Sequence, residues 1–184
     1  MENIDNIHEY DNTAKEKDSP LYKFFTLQLQ NIYWVELYLV KSLPGIQKAA
    51  TNEDLRRQLQ DHLIDTERQV ARLEEIFAIM GIKAEAAKCE AIEQLIKEVQ
   101  TVIEETEAGS STRDAALIMA VQKAEHYEIA TYGGLVQFAT SMGFEKITNR
   151  LDQTLQEEKD ADILLSDIAD KKVNWLAEIE EKAS

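Results

Sequence analysis

Two carboxylates, Glu125 and Glu128, stand one turn apart in the stretch AVQKAEHYEIATYGG, residues 120–134. They fall on or beside the stripe of Ala120, Val121, Ala124, Ile129 and Leu135, which is the side a helix would bury. Three other apolar stripes are interrupted in the same way. In LQNIYWVELYL, Glu36 follows Ile32 by four residues and precedes Leu39 by three. In DHLIDTERQV, His62 and Asp65 share a face with Leu59 and Gln69. In LDQTLQEEKDADILL, Glu158 follows Leu155 by three, and Asp162 follows Glu158 by four. A buried carboxylate must be neutralised, paired or bound to a cation. Few Lys or Arg residues share these stripes, so the chemistry that suits the pattern is cation binding.

Depth along the helices tests whether the groups can meet. A turn centred near residue 48 joins the first two helices, and Gly143 marks the turn between the last two. Glu36 lies 12 residues before the first turn; His62 and Asp65 lie 14 and 17 after it. Glu128 and Glu125 lie 15 and 18 before Gly143, and Glu158 lies 15 after it. At about 1.5 Å per residue, each group sits roughly 18–27 Å from its turn. All four helices can therefore place acidic groups in one middle layer. Carboxylates with one imidazole at one level need a counter-charge, which two divalent cations supply. Such a donor set suits iron or manganese, with zinc as an occupant of purified material.

The elements that must position these residues are legible in the remaining pattern. The chain has 184 residues, 44% of them apolar, with 6 Gly and 2 Pro, which fits one helical domain. Residues 1–18 are polar and mostly acidic and read as a mobile tail; His8 lies there and is assigned no role. Ser19 and Pro20 suit the N-cap and first turn of a helix carrying Phe25, Leu29, Ile32, Leu39 and Leu43. Pro44-Gly45 is expected to end or kink it. A second helix starts after Thr51, where TNED resembles a capping box, and runs to Gly81. Residues 82–111 form a long link with a weaker amphipathic helix, CEAIEQLIKEVQTVIEET. Ser111 or Thr112 caps a third long helix, which Gly143 breaks, and a fourth runs from about Phe144 beyond Trp175. Two hairpins joined by one long crossover predict an all-α, ferritin-like, up-down four-helix bundle over residues 19–184, with an extra helix on the crossover.

The net charge of −15 argues against nucleic acid and anionic membrane as partners. One cysteine, Cys89, excludes an intramolecular disulfide and fits a reducing, cytoplasmic setting. The N-terminus has no basic-then-apolar signal pattern, and no run of 18 apolar residues spans a membrane. Beside the central groups, Glu157 points about 100° from Glu158 and reads as surface. His126 reads as a surface group or an outer neighbour of the ligands. Tyr33, Tyr127 and Tyr132 could line the site, though core filling is the reading favoured for them, and Cys89 reads as a small buried hydrophobe.

The segments HLIDTERQVARLEEIF, RDAALIMAVQKAEHYEIATYG and LDQTLQEEKDADILLSDIA closely resemble the YciE/YciF family of bacterial ferritin-like proteins. The match covers roughly residues 21–175. The resemblance implies a dimeric, ferritin-like bundle linked to bacterial stress responses, with a di-metal centre at Glu36, His62, residue 65, Glu125, Glu128 and Glu158. Asp162 agrees with the family pattern as a ligand or its neighbour. The family commonly has Glu where Asp65 stands, and this chain has no intact Glu-x-x-His in either half. Weaker binding, or one ion in place of two, is the consequence to expect. Function is then expected to be a di-iron or di-manganese protein reacting with peroxide or oxygen. The alternatives are metal sequestration without turnover, and a helical interaction or structural module.

Overall fold

The computed structural model describes residues 18–180. The acidic tail, with His8, therefore lies outside the described residues except for Asp18. Everything regular among the described residues is helical, with no strand. The long helices are α1 (Pro20–Ala49), α2 (Glu53–Met80), α4 (Ser111–Ser141) and α5 (Glu145–Ile168); α3 (Glu90–Glu105) lies on the link between α2 and α4. A π-helical stretch, Ala169–Val173, and a short α6 (Asn174–Glu178) extend α5. No described helix is long and apolar enough to cross a membrane.

Local chemistry sets the helix ends. Ser19 caps α1 by accepting from the Tyr22 N–H at 3.1 Å, ahead of Pro20 in the first turn. Gly81 ends α2 with φ +67°, a left-handed conformation that suits glycine. Two caps differ from expectation, and of the two outcomes open at Pro44-Gly45 the helix does not end there. The α1 helix runs through Pro44 and Gly45 to Ala49, because Leu43 and Ile46 on either side of the proline are both buried in the core. Proline forfeits one helical hydrogen bond, and the packing of the last turn offsets it. Asn52, not Thr51, caps α2, accepting from Asp54 and Leu55 N–H at 2.9 and 3.1 Å. Ser110, not Ser111 or Thr112, caps α4, accepting from Arg113 N–H at 3.0 Å. The Ser111 and Thr112 N–H groups are satisfied by the Glu180 carboxylate instead.

Each long helix packs against two others: α1 on α2 and α4, and α5 on α4 and α2. Contacts fix their directions. Along α1 and α4, Phe24 meets Phe138 and Glu36 meets Tyr132, so the two run antiparallel. Along α2 and α5, Gln69 meets Glu158 and Glu75 meets Arg150, so these are antiparallel as well. Asp114 at the start of α4 accepts from the Thr51 and Asn52 N–H groups at the α1–α2 turn, both at 2.7 Å. The link from α2 to α4 therefore traverses the length of the bundle, and α3 on that link covers α4 and α1. This is a four-helix bundle with one long crossover. At the opposite end, Phe144 packs edge-on against Tyr22 and tilted against Phe25. Between these ends the core is apolar, except for one layer.

Candidate metal centre

That layer is built by four helices. Each helix presents an inward stripe of leucine, isoleucine, valine or aromatic residues that is interrupted at the same height. From α1 comes Glu36, from α2 His62, from α4 Glu125 and Glu128, and from α5 Glu158. Glu36, Glu128 and Glu158 have no exposed surface, and Glu125 and His62 are buried beside them. His62, Glu125, Glu128 and Glu158 each offer a donor atom, and these four atoms lie within 4.8 Å of one another. The His62 Nε2 stands 3.4 Å from Glu125 Oε1.

Electrostatics makes the layer costly in the absence of a cation. Burial first, and the charge of Glu158 second, push the carboxyls of Glu36, Glu125 and Glu128 well above the usual carboxylate range. Burial lowers the His62 imidazole below its ordinary value, with the Glu158 charge opposing that shift. Burial thus works against the charged forms of both His62 and Glu125. Many of the oxygens are orphaned. Glu36 Oε2, Glu125 Oε2, both oxygens of Glu128 and Glu158 Oε2 are buried without a hydrogen-bond partner. Native interiors rarely leave such atoms unsatisfied.

Neighbouring side chains hold the remaining oxygens. The Tyr132 hydroxyl donates to Glu36 Oε1, and Gln69 Nε2 donates to Glu158 Oε1. Burial and the Glu36 charge push the Tyr132 hydroxyl well above its usual range, which keeps it a donor. Gln69 also reaches Glu157 at 3.3 Å. Glu157 is not the surface group its angle suggested. It pairs with Arg72 of α2 through two hydrogen bonds of 2.8 Å, and Arg72 also donates to Thr154 at 2.6 Å. Burial works against the Glu157 charge, but the Arg72 hydrogen bonds prevail and hold its carboxyl below the ordinary value.

Three expected site residues stand outside the cluster of four: Glu36, which lines the same layer, and Asp65 and Asp162, which do not. Asp65 is half-exposed and pairs with Arg68 one turn along α2. The inward face of α2 passes instead through His62, Thr66, Gln69 and Leu73, all buried. Asp162 is partly buried at the α4–α5 seam, accepting from Gln122 Nε2 at 2.9 Å. Its charge acts on Glu125, and exposed His126 lies 3.6 Å from it on the solvent side. Tyr132 and Gln69 are the groups that helical spacing placed in the layer without assigning them work. Tyr132 follows Glu125 by seven and Glu128 by four, and Gln69 follows His62 by seven. Cys89 is buried as expected, and its sulfur lies 3.0 Å from the Tyr127 hydroxyl. Burial and that contact push the Tyr127 hydroxyl up to about 12.

Fold and layer together define a class: a crossover four-helix bundle with a carboxylate-rich, single-histidine centre in its dry interior. The chain matches, over residues 21–178, the family described as a domain of unknown function, DUF892. Protein YciF of Escherichia coli (strain K12) is 42% identical over 151 residues, 82% of this chain and 90% of that protein. The crystal structure of the E. coli stress protein YciF superposes with a TM-score of 0.80 at 39% identity, covering 85% of this chain and 98% of that one. YcfI of Rhodopseudomonas palustris superposes with a TM-score of 0.76 at 34% identity, covering 86% and 97%. The chain belongs to the YciF family.

Proposed function

We propose that the buried layer binds divalent metal ions, two when filled, with iron or manganese as native occupants and zinc as a substitute. The observation that carries this reading is Glu128. It is wholly buried, and neither of its carboxylate oxygens has a hydrogen-bond partner. A carboxyl proton shared between Glu125 and Glu158 relieves one contact of the layer, but leaves Glu128 without a partner. Two cations together satisfy the orphaned oxygens, and the donor set of glutamates with one imidazole fits hard to borderline divalent ions.

Glu125, Glu128, Glu158 and Glu36 would be the oxygen donors and His62 the nitrogen donor. When bound there, iron or manganese would supply redox chemistry towards peroxide or dioxygen, in keeping with the designation of the E. coli relative as a stress protein. The protein's own contribution is placement. Gln69 fixes one oxygen of Glu158, Tyr132 fixes one of Glu36, and the leucine-rich layers above and below exclude water. Fold alone does not set the reaction, so binding is the claim to test first.

The test is metal content. Protein stripped with chelator and exchanged into clean buffer is titrated with Mn(II), or anaerobically with Fe(II), and bound metal is measured after gel filtration. Stoichiometric uptake that falls in Glu128→Gln and Glu158→Gln supports the reading. Folded protein that takes up no divalent ion would end it. An absorbance change when peroxide meets the iron form separates a reacting centre from one that only withholds metal.

A further inference from the structure

The donors of the layer are unequal. We infer that His62, Glu125, Glu128 and Glu158 form a preset site for one ion, and that Tyr132 withholds Glu36 from a second. The inference rests on the metal-binding reading above and adds an order of filling to it.

Four donor atoms within 4.8 Å of one another can converge on a single ion with small side-chain adjustments and no movement of the helices. Glu36 is not one of the four. Its Oε1 is taken by the Tyr132 hydroxyl, and only Oε2 is unpartnered. To recruit Glu36 fully, an ion must strip that hydrogen bond and strand a phenol hydroxyl in a dry interior, because Tyr132 has no exposed surface. The α2 helix offers no help. Beyond His62 its inward face supplies Thr66, whose hydroxyl is spent on the His62 carbonyl at 2.8 Å, and Gln69, which is neutral. Gln69 also occupies one oxygen of Glu158.

Charge leads to the same order. The three carboxylates of the compact site more than neutralise one divalent ion. A second ion is balanced only when the fourth carboxylate, Glu36, joins. The centre therefore fills in two steps, and the Tyr132–Glu36 hydrogen bond sets the interval between them. A hydrogen bond to a charged acceptor separates the second affinity from the first by roughly tenfold or more.

Mn(II) titration of metal-free protein, followed by electron paramagnetic resonance and by bound-metal analysis, reads the two steps. The wild-type protein is expected to bind one equivalent with an isolated-ion signal. A coupled-pair signal then grows only at concentrations at least about tenfold higher. Tyr132→Phe, which removes one oxygen and no volume, should bring the second step at least about tenfold closer to the first. Glu36→Gln should abolish the second step and retain the isolated-ion signal. Two ions binding together in the wild type, or a Tyr132→Phe interval equal to the wild-type one, would overturn the ordering and leave metal binding standing. Absence of any bound Mn(II) in the folded wild type would overturn both.

Discussion

Replacing Glu128 by glutamine is expected to stabilise the metal-free protein and to weaken the metal-loaded one. The substitution keeps the shape and removes the ionisable group. In the wild type both oxygens of Glu128 are buried without partners. The charges that act on it are, in order, those of Glu158, Glu36 and Glu125. A glutamine side chain presents two N–H donors to those same acceptors. Leaving a buried polar atom unsatisfied costs about 1–3 kcal/mol, so the exchange gains about that much. For a chain of this size a gain of 1 kcal/mol raises Tm by about 2–4 °C, which gives a rise of about 2–12 °C in chelator. Metal reverses the ranking. Ligand at a hundredfold excess over Kd stabilises by about 2.7 kcal/mol, and the variant, lacking a charged donor, loses most of that.

The assay is thermal unfolding followed by circular dichroism, with chelator and with excess Mn(II). The two melting curves should change order between conditions. A metal-free variant less stable than wild type by about 1 kcal/mol or more would refute the reasoning. That result would mean Glu128 makes net favourable contacts in the absence of a cation. The layer would then be a satisfied hydrogen-bonded network, and the need for a positive guest would vanish.

Three further outcomes follow from the same geometry. The carboxyls of Glu36, Glu125 and Glu128 are raised in the folded state, so the native protein holds protons that the unfolded chain releases above its ordinary carboxylate pKa. Metal-free stability should therefore fall as pH rises from about 4.5 through the folded values, by at most about 1.4 kcal/mol per pH unit for each group still titrating. His62 is lowered and works in the opposite sense only below its ordinary 6.5, so a decline in metal-free Tm as pH rises above about 4.5, partly offset below 6.5 and abolished by Mn(II), is the signature; a flat metal-free profile would contradict it. Asp65→Ala should leave metal uptake unchanged and shift stability by no more than about 1 kcal/mol, since Asp65 pairs with Arg68 near the surface; loss of bound metal in this variant would return Asp65 to the centre. Asp114→Ala should cost about 2–4 kcal/mol in urea denaturation, equally with and without metal, because it removes a buried carboxylate from two N–H groups at the α1–α2 turn.

Spacing of three and four residues reports which side of a helix faces inward, and counting from a turn reports height. Those two periodicities placed Glu36, His62, Glu125, Glu128 and Glu158 on inward faces at one level, where the structure buries them together. They could not resolve neighbours at the edge of a stripe. Asp65 lies at the edge of the α2 stripe, three residues from His62, and the structure buries Thr66 and Gln69 while leaving Asp65 to Arg68. Glu157 departs from the surface expectation for a related reason. Its direction, away from the layer, is towards Arg72 of α2, and a partner on another helix does not show in local periodicity. At Pro44 a local rule lost to tertiary packing, since Leu43 and Ile46 hold the last turn of α1 against the core. The caps at Asn52 and Ser110 lie one or two residues from the expected positions because competing side-chain oxygens sit side by side, an amide beside a hydroxyl at Asn52 and hydroxyls at Ser110, and Asp114 and Glu180 take up the neighbouring N–H groups.

The apolar layers explain how such a centre persists. Each wholly buried leucine or phenylalanine contributes about 1.5–3 kcal/mol, and Phe25, Leu29, Leu39, Leu59, Leu73, Leu135 and Leu151 are all of this kind. The clasp of Asp114 at one end and the Tyr22–Phe25–Phe144 contacts at the other hold the helices against splaying. Water therefore cannot enter to hydrate the glutamates without loss of that packing. With hydration closed off, a proton or a cation is left to relieve the repulsion among Glu36, Glu125, Glu128 and Glu158, and the two compete for the same oxygens. An ion entering the layer must expel the protons that burial has placed there. Its apparent affinity should then rise with pH over the range in which the metal-free protein grows less stable. Metal titrations that release no protons would show that the carboxyls were already ionised, and that burial had not set their state.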